Sequence, residues 1–288
     1  KFLCKIRKEI LFQLQIKKKD IIKQFYDFIV SNAQQSFLNE YVVFQSEKEI
    51  KIVNELKRKV ENDSTVNELE ISVLACYFPL NSSKIINDKL KNYVSRNVLF
   101  NDLIKMQIKD PLKEVELKKN INSFDNITDN ISKKVRDQYE ENPYPRWRFA
   151  NITPKNNFLS ILNNAIRPNK INANNQNIAQ NVLIAGCGTG QQLVYKTSYE
   201  NSNIVAIDLS LSSLAFAKRK MQELKHNNIE FLQGDILSLN RLNKKFDVIE
   251  CVGVLHHLKN PEDGLRILLN NLETNGYLKL GLYSEYAR

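Results

Sequence analysis

Residues 181–190 read Asn-Val-Leu-Ile-Ala-Gly-Cys-Gly-Thr-Gly, and this stretch decides how the C-terminal part of the chain folds. The short apolar run at 182–185 predicts a buried strand. It ends in three glycines at alternate positions, Gly186, Gly188 and Gly190. Glycine lets a backbone turn sharply and approach a ligand without an intervening side chain. Because several kinds of nucleotide-binding fold share such a loop, the glycines alone do not specify a ligand.

Strand and helix patterns alternate after this loop. Further strands are predicted at 204–207, 229–232, 246–251 and 277–282, and helices at about 190–199, 211–226 and 261–273. This alternation predicts a parallel sheet covered by helices on both faces. In such sheets ligands bind beyond the carboxyl ends of the strands, near the switch in strand order.

Two acidic residues stand at predicted strand ends. Asp208 ends the second strand, where a carboxylate can accept hydrogen bonds from both hydroxyls of a ribose. Asp235 follows the third strand, where it can accept one from an exocyclic adenine amine. Each has a structural alternative. Asp208 could cap the next helix, although Ser210 is better placed to do so, and Asp235 could form a turn with Gly234.

The order and spacing of these features resemble a class I S-adenosylmethionine-dependent methyltransferase domain. The glycine loop at 186–190 is similar to that family's first motif, and Asp208, Asp235 and the stretch 246–257, ending in Leu-His-His, match its second to fourth. Residues 276–280 match the fifth strand. The resemblance implies an α/β fold with a Rossmann-like, mostly parallel sheet. It also implies transfer of a methyl group from S-adenosylmethionine to an acceptor that the sequence does not identify.

The resemblance also implies which residues form the site. We expect the glycine loop and the ends of strands two to four to bind S-adenosylmethionine through Gly186, Cys187, Gly188, Gly190, Asp208, Leu209, Asp235, Ile236 and Val252. His257 is expected to act as a base or to orient the acceptor, with Tyr139 as a second candidate. His256 and His257 could also be ordinary histidines at a strand end.

Residues 135–148 concentrate aromatic, proline and arginine side chains. One interpretation is a proline-fixed linker whose aromatic rings join two domains. The other is a lid over the ligand site, in which Tyr139, Tyr144 and Trp147 stack and Arg146 holds an anion. Both can hold at once.

The N-terminal part predicts an all-α region. Apolar residues recur at three- and four-residue intervals, with helices expected at 47–61, 66–77 and 83–94 and a helix boundary at the Asp110-Pro111 dipeptide. Stretches 34–49, 139–147 and 281–288 resemble a narrower bacterial group, in which the methyltransferase domain follows helical, tetratricopeptide-type repeats. We therefore expect a helical region over 1–134, a lid or linker over 135–180 and the methyltransferase domain over 181–288.

Charge and composition constrain the partners. The net charge of +10 can indicate a nucleic-acid or membrane-surface partner, but solvated lysine-rich helices explain it too, because no aromatic residues interleave with the lysines. We expect a small molecule or a protein as acceptor rather than nucleic acid, and a possible protein partner for the helical region. No apolar run approaches the roughly 20 residues that span a bilayer. The four cysteines form no CxxC pair, so we expect reduced thiols, no metal and a cytoplasmic protein.

Two features depart from the family's pattern. Ile184 stands two positions before the first glycine, where the wider family usually has an acidic residue that helps to orient the cofactor's amino group, so another group must receive that ammonium. The chain also begins at Lys1 rather than Met and ends at Arg288, just past the fifth strand, whereas the family's sheet has two more strands. We therefore expect a fragment with a C-terminally incomplete sheet.

Two other functions stay open. A nicotinamide-dependent oxidoreductase also uses a glycine loop followed by an acidic residue, but it would leave Asp235 and the two histidines without a role, and the third glycine of its usual spacing is missing. A non-catalytic interaction protein that retains a cofactor-binding fold is favoured by Ile184 and by the basic helical half. Turnover with any acceptor would exclude that last function.

Overall fold

The computed structural model describes residues 2–16, 19–151, 158–170, 180–196 and 202–284, and the chain divides into two compact units, Lys1–Lys113 and Glu114–Arg288. Parts of the expected lid, the end of the expected helix at 190–199 and residues 285–288 lie outside the described residues. Residues 114–134 belong to the second unit. The functional boundaries expected at 134 and 180 stay predictions.

The first unit is helical, as the sequence predicts. Its helices are α1 (Phe2–Gln15), α2 (Lys19–Lys23), α3 (Tyr26–Leu38), α4 (Glu47–Asn62), α5 (Glu68–Ala75), α6 (Lys84–Leu90) and α7 (Val98–Ile104); α8 (Asp110–Lys118) crosses the boundary between the units. Helix α4 begins at a capping box. The Ser46 N–H donates to Glu49 Oε2 at 2.9 Å, and the Ser46 hydroxyl oxygen accepts from the Glu49 N–H. The apolar face of α4 enters the core of the unit through Ile52, Val53, Leu56 and Val60.

The Asp110-Pro111 dipeptide begins helix α8, which follows the preceding helical residues without an intervening loop. A π-helical stretch, Lys105–Lys109, joins α7 to α8, and the Asp110 N–H donates to Lys105 O. Pro111 therefore lies in the first turn of α8, where its missing N–H costs little. The expected boundary is present, but as a change of helix type.

The second unit is an α/β sandwich. Its elements are β1 (Asn122–Ser123), α9 (Asn130–Glu141), α10 (Phe158–Ala165), β2 (Gln180–Ala185), α11 (Gln191–Lys196), β3 (Ser202–Asp208), α12 (Leu211–Glu223), β4 (Ile229–Gln233), β5 (Phe246–Val252), α13 (Pro261–Asn270) and β6 (Leu272–Gly281). The strand order is β1-β4-β3-β2-β5-β6, and every pair is parallel. The predicted parallel sheet is confirmed, with the strand order reversing at β2.

Both faces of the sheet are buried at the central strands β2, β3 and β5, which explains the near-continuous apolar sequences of these strands. In β2, Val182 and Ile184 enter the core on one face, whereas Leu183 and Ala185 enter the core on the other. β3 lies on one side of β2 and β5 lies on the other. The strand order therefore reverses at β2, and the carboxyl ends of β2, β3 and β5 form a crevice at this switch.

Two strands differ from the prediction. β1 is only two residues long and pairs with β4 through Asn122 and Ser123, which is too short for a periodic signal. β6 begins at Leu272 instead of 277, and its pairing with β5 is irregular between Phe246 and Val248. Gly276 permits this irregularity, since an added Cβ would lie 3.0 Å from a backbone oxygen of β5.

Candidate active site

The loop after β2 requires glycine for two different reasons. Its φ angles are +73° at Gly186, +52° at Gly188 and +79° at Gly190, a region that residues with a Cβ rarely adopt. A Cβ at Gly186 would also lie 2.3 Å from the Val254 side chain, and one at Gly190 would lie 2.7 Å from that of Ala217. A Cβ at Gly188 would meet nothing closer than 3.9 Å. Gly186 and Gly190 therefore permit close packing, whereas Gly188 leaves open space beside the loop.

Asp208 ties the glycine loop to the end of β3. Its Oδ2 accepts a hydrogen bond from the Gly188 N–H at 2.8 Å, and its Oδ1 accepts one from the Ser210 N–H at 2.9 Å. Burial raises the pKa of Asp208 above its ordinary value, more than these two hydrogen bonds lower it. Ser210 caps α12 by accepting from the Ser213 N–H, as the sequence predicts, so Asp208 does not cap that helix.

A cavity of about 360 Å³ opens beside this loop, in the crevice at the carboxyl ends of the strands. Nearly all of the predicted cofactor residues line it: Gly186, Cys187, Gly188, Asp208, Leu209, Asp235, Ile236 and Val252. The predicted catalytic residues His257 and Tyr139 line it as well. Gly190 is the exception among the predicted residues, since it packs against α12 instead.

Asp235 has both a structural and a cavity-lining position. Its Oδ1 accepts from the Leu237 N–H at 2.9 Å and so caps a 3-10 helix, Ile236–Leu242. The preceding Gly234 lies against the Phe124 ring, which a Cβ would approach to 2.2 Å. Asp235 is thus held in place at the cavity wall by local backbone geometry.

The Cys187 thiol is not a candidate nucleophile. Burial, together with the charge of Asp208, raises its pKa well above the ordinary value. A thiol of this kind stays protonated at neutral pH, whereas nucleophilic cysteines have lowered pKa values.

Residues 176–285 match the protein family described as a methyltransferase domain. Residues 176–285 are therefore a methyltransferase domain. This match agrees with S-adenosylmethionine, the methyl donor that the sequence predicts.

Relatives of this methyltransferase domain include proteins with and without an assigned activity. An uncharacterised protein of Synechococcus sp. is 39% identical over 109 residues, which cover 37% of this chain and 26% of that protein. The mitochondrial ubiquinone biosynthesis O-methyltransferase of Schizosaccharomyces pombe is 29% identical over 105 residues, which cover 36% of this chain and 38% of that protein. Among solved structures, PKMT2 from Rickettsia typhi in complex with AdoHcy is 31% identical, with a TM-score of 0.33, covering 35% of this chain and 20% of that one. The matched stretch spans well under two thirds of each of these proteins.

A roof segment, residues 130–147, contributes to one wall of the cavity in the methyltransferase domain. Tyr139 and Tyr144 line the cavity. Trp147 does not, which corrects the expectation that it stacks on a ligand. It is buried against Phe216, with ring centroids 6.2 Å apart, and its Nε1–H donates to Thr189 O at 3.0 Å. Trp147 therefore anchors the roof segment to the glycine loop.

Arg146 is also absent from the described residues that line the cavity. Its guanidinium carbon lies 6.0 Å from the centre of the Phe216 ring. The expected contact of Arg146 with an anion in this cavity therefore has no support in the geometry.

Four aromatic side chains lie in series beside the cavity of the methyltransferase domain. The Tyr139 and His257 rings meet edge-on with centroids 6.4 Å apart, His256 and His257 are 4.2 Å apart, and His256 and Tyr283 are 4.5 Å apart. Burial and the charge of Asp208 raise the pKa of Tyr139, so its hydroxyl is a hydrogen-bond donor at neutral pH. Tyr283, which was not among the predicted site residues, also lines the cavity.

Ile184, the departure from the family's pattern, is fully buried in β2. Its partner in register on β5 is Glu250, which is 3% exposed and has Oε2 3.9 Å from Lys279 Nζ. The methyltransferase domain thus has a buried carboxylate, but on the strand beside the usual position.

Proposed function

We propose that this chain binds S-adenosylmethionine in the 360 Å³ cavity and transfers its methyl group to an acceptor. The observation that carries the proposal is the arrangement at the strand ends. A glycine loop lies at the switch point of a parallel sheet, and Asp208 and Asp235 follow the two neighbouring strands around the same cavity.

The residues at this cavity fit such a donor. Gly188 leaves room beside the loop for the methionine part of the ligand, and a Cβ added at Gly253 would likewise meet nothing within 4 Å. Asp208 would accept from the ribose hydroxyls and Asp235 from the adenine amine. The apolar side chains of Leu209, Ile236 and Val252 would flank the bound nucleoside.

The sulfonium of S-adenosylmethionine supplies an activated methyl group, so the chain's main task is to align acceptor and donor and to exclude water. Tyr139, with its raised pKa, would donate a hydrogen bond to the acceptor. His257, which meets Tyr139 edge-on, would take a proton from an acceptor that loses one.

The acceptor is proposed to be a small molecule or a protein rather than nucleic acid. The fission-yeast relative is named for ubiquinone biosynthesis, but the aligned stretch covers 36% of this chain and cannot transfer that acceptor to it. We further propose a cytoplasmic location and a protein partner for the helical unit. None of the helices in the described part of the chain is long and apolar enough to cross a membrane.

Calorimetry with S-adenosylhomocysteine tests donor binding, with Asp208→Asn as the site variant and Asp263→Asn, an exposed position on α13, as the matched control. The wild type and the control should bind, and Asp208→Asn should bind much more weakly. Binding of a nicotinamide dinucleotide instead would favour the oxidoreductase.

Transfer is tested separately with methyl-labelled S-adenosylmethionine and fractionated cell extract. Label in a discrete product supports the enzyme and identifies its acceptor. Donor binding without any labelled product across a broad acceptor panel would favour the non-catalytic protein.

A further inference from the structure

Glu140 lies beside Tyr139 in the last turn of α9, and two other elements hold its carboxylate. Oε1 accepts a hydrogen bond from Lys118 Nζ at 2.8 Å, at the end of α8. Oε2 accepts one from the Ser212 N–H at 2.9 Å and lies 2.9 Å from the Ser210 hydroxyl, at the start of α12. A carboxylate at this position satisfies an N–H that the helix itself leaves unpaired and interacts favourably with the helix dipole.

The backbone of the same turn is held as well. The Ser212 hydroxyl donates to Glu140 O at 2.7 Å, and the Ser210 hydroxyl lies 3.0 Å from Tyr139 O. The side chains of Lys118 and Glu140 are each about one third exposed, 31% and 35%. The ion pair is therefore only partly screened by water, and it is reinforced by hydrogen bonds that an exposed pair lacks.

This attachment leads directly to the donor site. Ser210, which contacts Glu140 through its hydroxyl, also donates its N–H to Asp208 Oδ1. Asp208 in turn holds the glycine loop through the Gly188 N–H. The end of α9 and the expected ribose-binding carboxylate are therefore joined through one residue, Ser210.

The far end of the roof segment is attached to the same loop. The Thr189 hydroxyl donates to Pro145 O at 2.7 Å, and Trp147 donates to Thr189 O. Tyr139 and Tyr144, the two roof residues with aromatic rings at the cavity, thus lie between two points of attachment.

We propose that Glu140 is a positioning residue, which holds the last turn of α9 so that Tyr139 stays at the wall of the donor cavity. Its effect on ligand affinity rests on the proposed function, but the attachment of the roof does not. Glu140 itself does not line the cavity, so its effect on a ligand passes mainly through Tyr139, which does.

Hydrogen–deuterium exchange without ligand tests the attachment. Glu140→Ala should raise deuterium uptake in peptides from residues 130–147, and Glu140→Gln should raise it less, because glutamine keeps an acceptor oxygen for Ser212 but loses the charge that pairs with Lys118. Glu141→Gln, at the exposed neighbouring position, is the matched control and should leave uptake unchanged. Unchanged uptake in Glu140→Ala would overturn the proposal. If Glu140→Ala fails to fold, an increase confined to the roof in Glu140→Gln supports it and no increase overturns it.

A double-mutant cycle separates positioning from general stability. S-adenosylhomocysteine should bind roughly tenfold more weakly to Glu140→Ala than to the wild type, since hydrogen bonds to a charged group are lost. In a Tyr139→Ala background, Glu140→Ala should weaken binding of S-adenosylhomocysteine by roughly twofold or less, because the side chain that Glu140 positions is already absent. An equal loss in both backgrounds would show that Glu140 does not act through Tyr139. If the wild type does not bind S-adenosylhomocysteine, the proposed function fails, and the exchange experiment still decides whether Glu140 holds the roof.

Discussion

The glycine loop and the roof segment border one cavity, but they hold their shapes by different means. The loop is fixed by backbone conformation, with positive φ at Gly186, Gly188 and Gly190 and paired hydrogen bonds to Ile207 O. The roof is fixed by side chains that meet partners far along the chain, such as Trp147 with the Thr189 carbonyl.

This difference predicts how each region responds to substitution. A requirement for positive φ is set at a single residue, where any side chain with a Cβ is strained. A side-chain attachment is spread over several contacts, so the loss of one contact weakens it without removing it. We therefore expect the largest losses of stability beneath and within the loop, and the smallest in the roof.

Ile184→Glu should cause the largest loss, about 3–5 kcal/mol of unfolding free energy, because it places a carboxylate in the dry core beneath the loop. The neighbouring strand already carries the buried Glu250 in register with it. Urea unfolding followed by the fluorescence of Trp147, the chain's single tryptophan, measures the loss in the unit that contains it.

The second substitution Glu250→Gln tests whether the two carboxylates repel each other. The double variant should be more stable than Ile184→Glu alone, because one of two like charges is removed. If the double variant instead loses the sum of the unfolding free energies that the two single variants lose, the cost of a carboxylate at position 184 does not arise from repulsion by Glu250.

Gly186→Ala should come next, with a loss of about 2–4 kcal/mol, since it combines strain at positive φ with a Cβ only 2.3 Å from Val254. Gly188→Ala is the matched control. It has the same sign of φ but no close neighbour, so about 1–2 kcal/mol is expected from strain alone. If urea unfolding gives Gly186→Ala and Gly188→Ala equal losses of unfolding free energy, the Val254 side chain moves away from the new Cβ without an energetic cost.

Asp208→Asn should weaken binding of S-adenosylhomocysteine roughly ten- to a hundredfold, because the ligand hydroxyls lose a charged acceptor and either the Gly188 or the Ser210 N–H loses its acceptor oxygen. Calorimetry measures this at constant pH. Wild-type affinity should also fall as the pH is lowered, beginning above the usual range of an aspartate, because burial raises the pKa of Asp208 and only its ionised form accepts from both hydroxyls.

The pH dependence of stability without ligand has the opposite sign. A carboxyl with a raised pKa in the folded state binds its proton more tightly there, so its contribution to stability is present at low pH and is lost as the pH rises through that pKa. In Asp208→Asn the fall in affinity and the contribution of Asp208 to the pH dependence of stability should both disappear, whereas groups with lowered pKa values, such as Glu140, keep their contributions. A wild-type binding curve that is flat with pH down to the range of an ordinary aspartate would contradict the role of the ionised carboxylate.

Local pattern was enough to predict the sheet and the strand-end residues. The apolar runs of β2 to β5 and the glycine spacing are short-range signals, and Asp208, Asp235 and His257 all lie at the cavity as expected. Trp147 could not be assigned in this way. An aromatic residue in a proline-rich segment looks the same whether it faces a ligand or the core, and only its contact with Thr189 decides between the two.

Other features depend on contacts that sequence patterns do not encode. The two-residue strand β1 is too short to have a period. Glu140 stands beside the exposed Glu141, and nothing in the Tyr-Glu-Glu sequence distinguishes them. The difference arises from Lys118 and Ser212, which are remote in the chain and adjacent in the fold.

Thr189→Val should have the smallest effect, about 1 kcal/mol, because it keeps the shape of the buried side chain and removes one hydrogen bond, to Pro145 O. Thr274→Val, at an exposed position of β6, is the control and should change stability by less. Trp147 fluorescence should shift in Thr189→Val even without ligand, since the indole N–H donates to the same residue's carbonyl. A loss as large as that of Gly186→Ala would mean that the roof depends on this one contact, and the contrast between a backbone-fixed loop and a roof with distributed attachments would not hold.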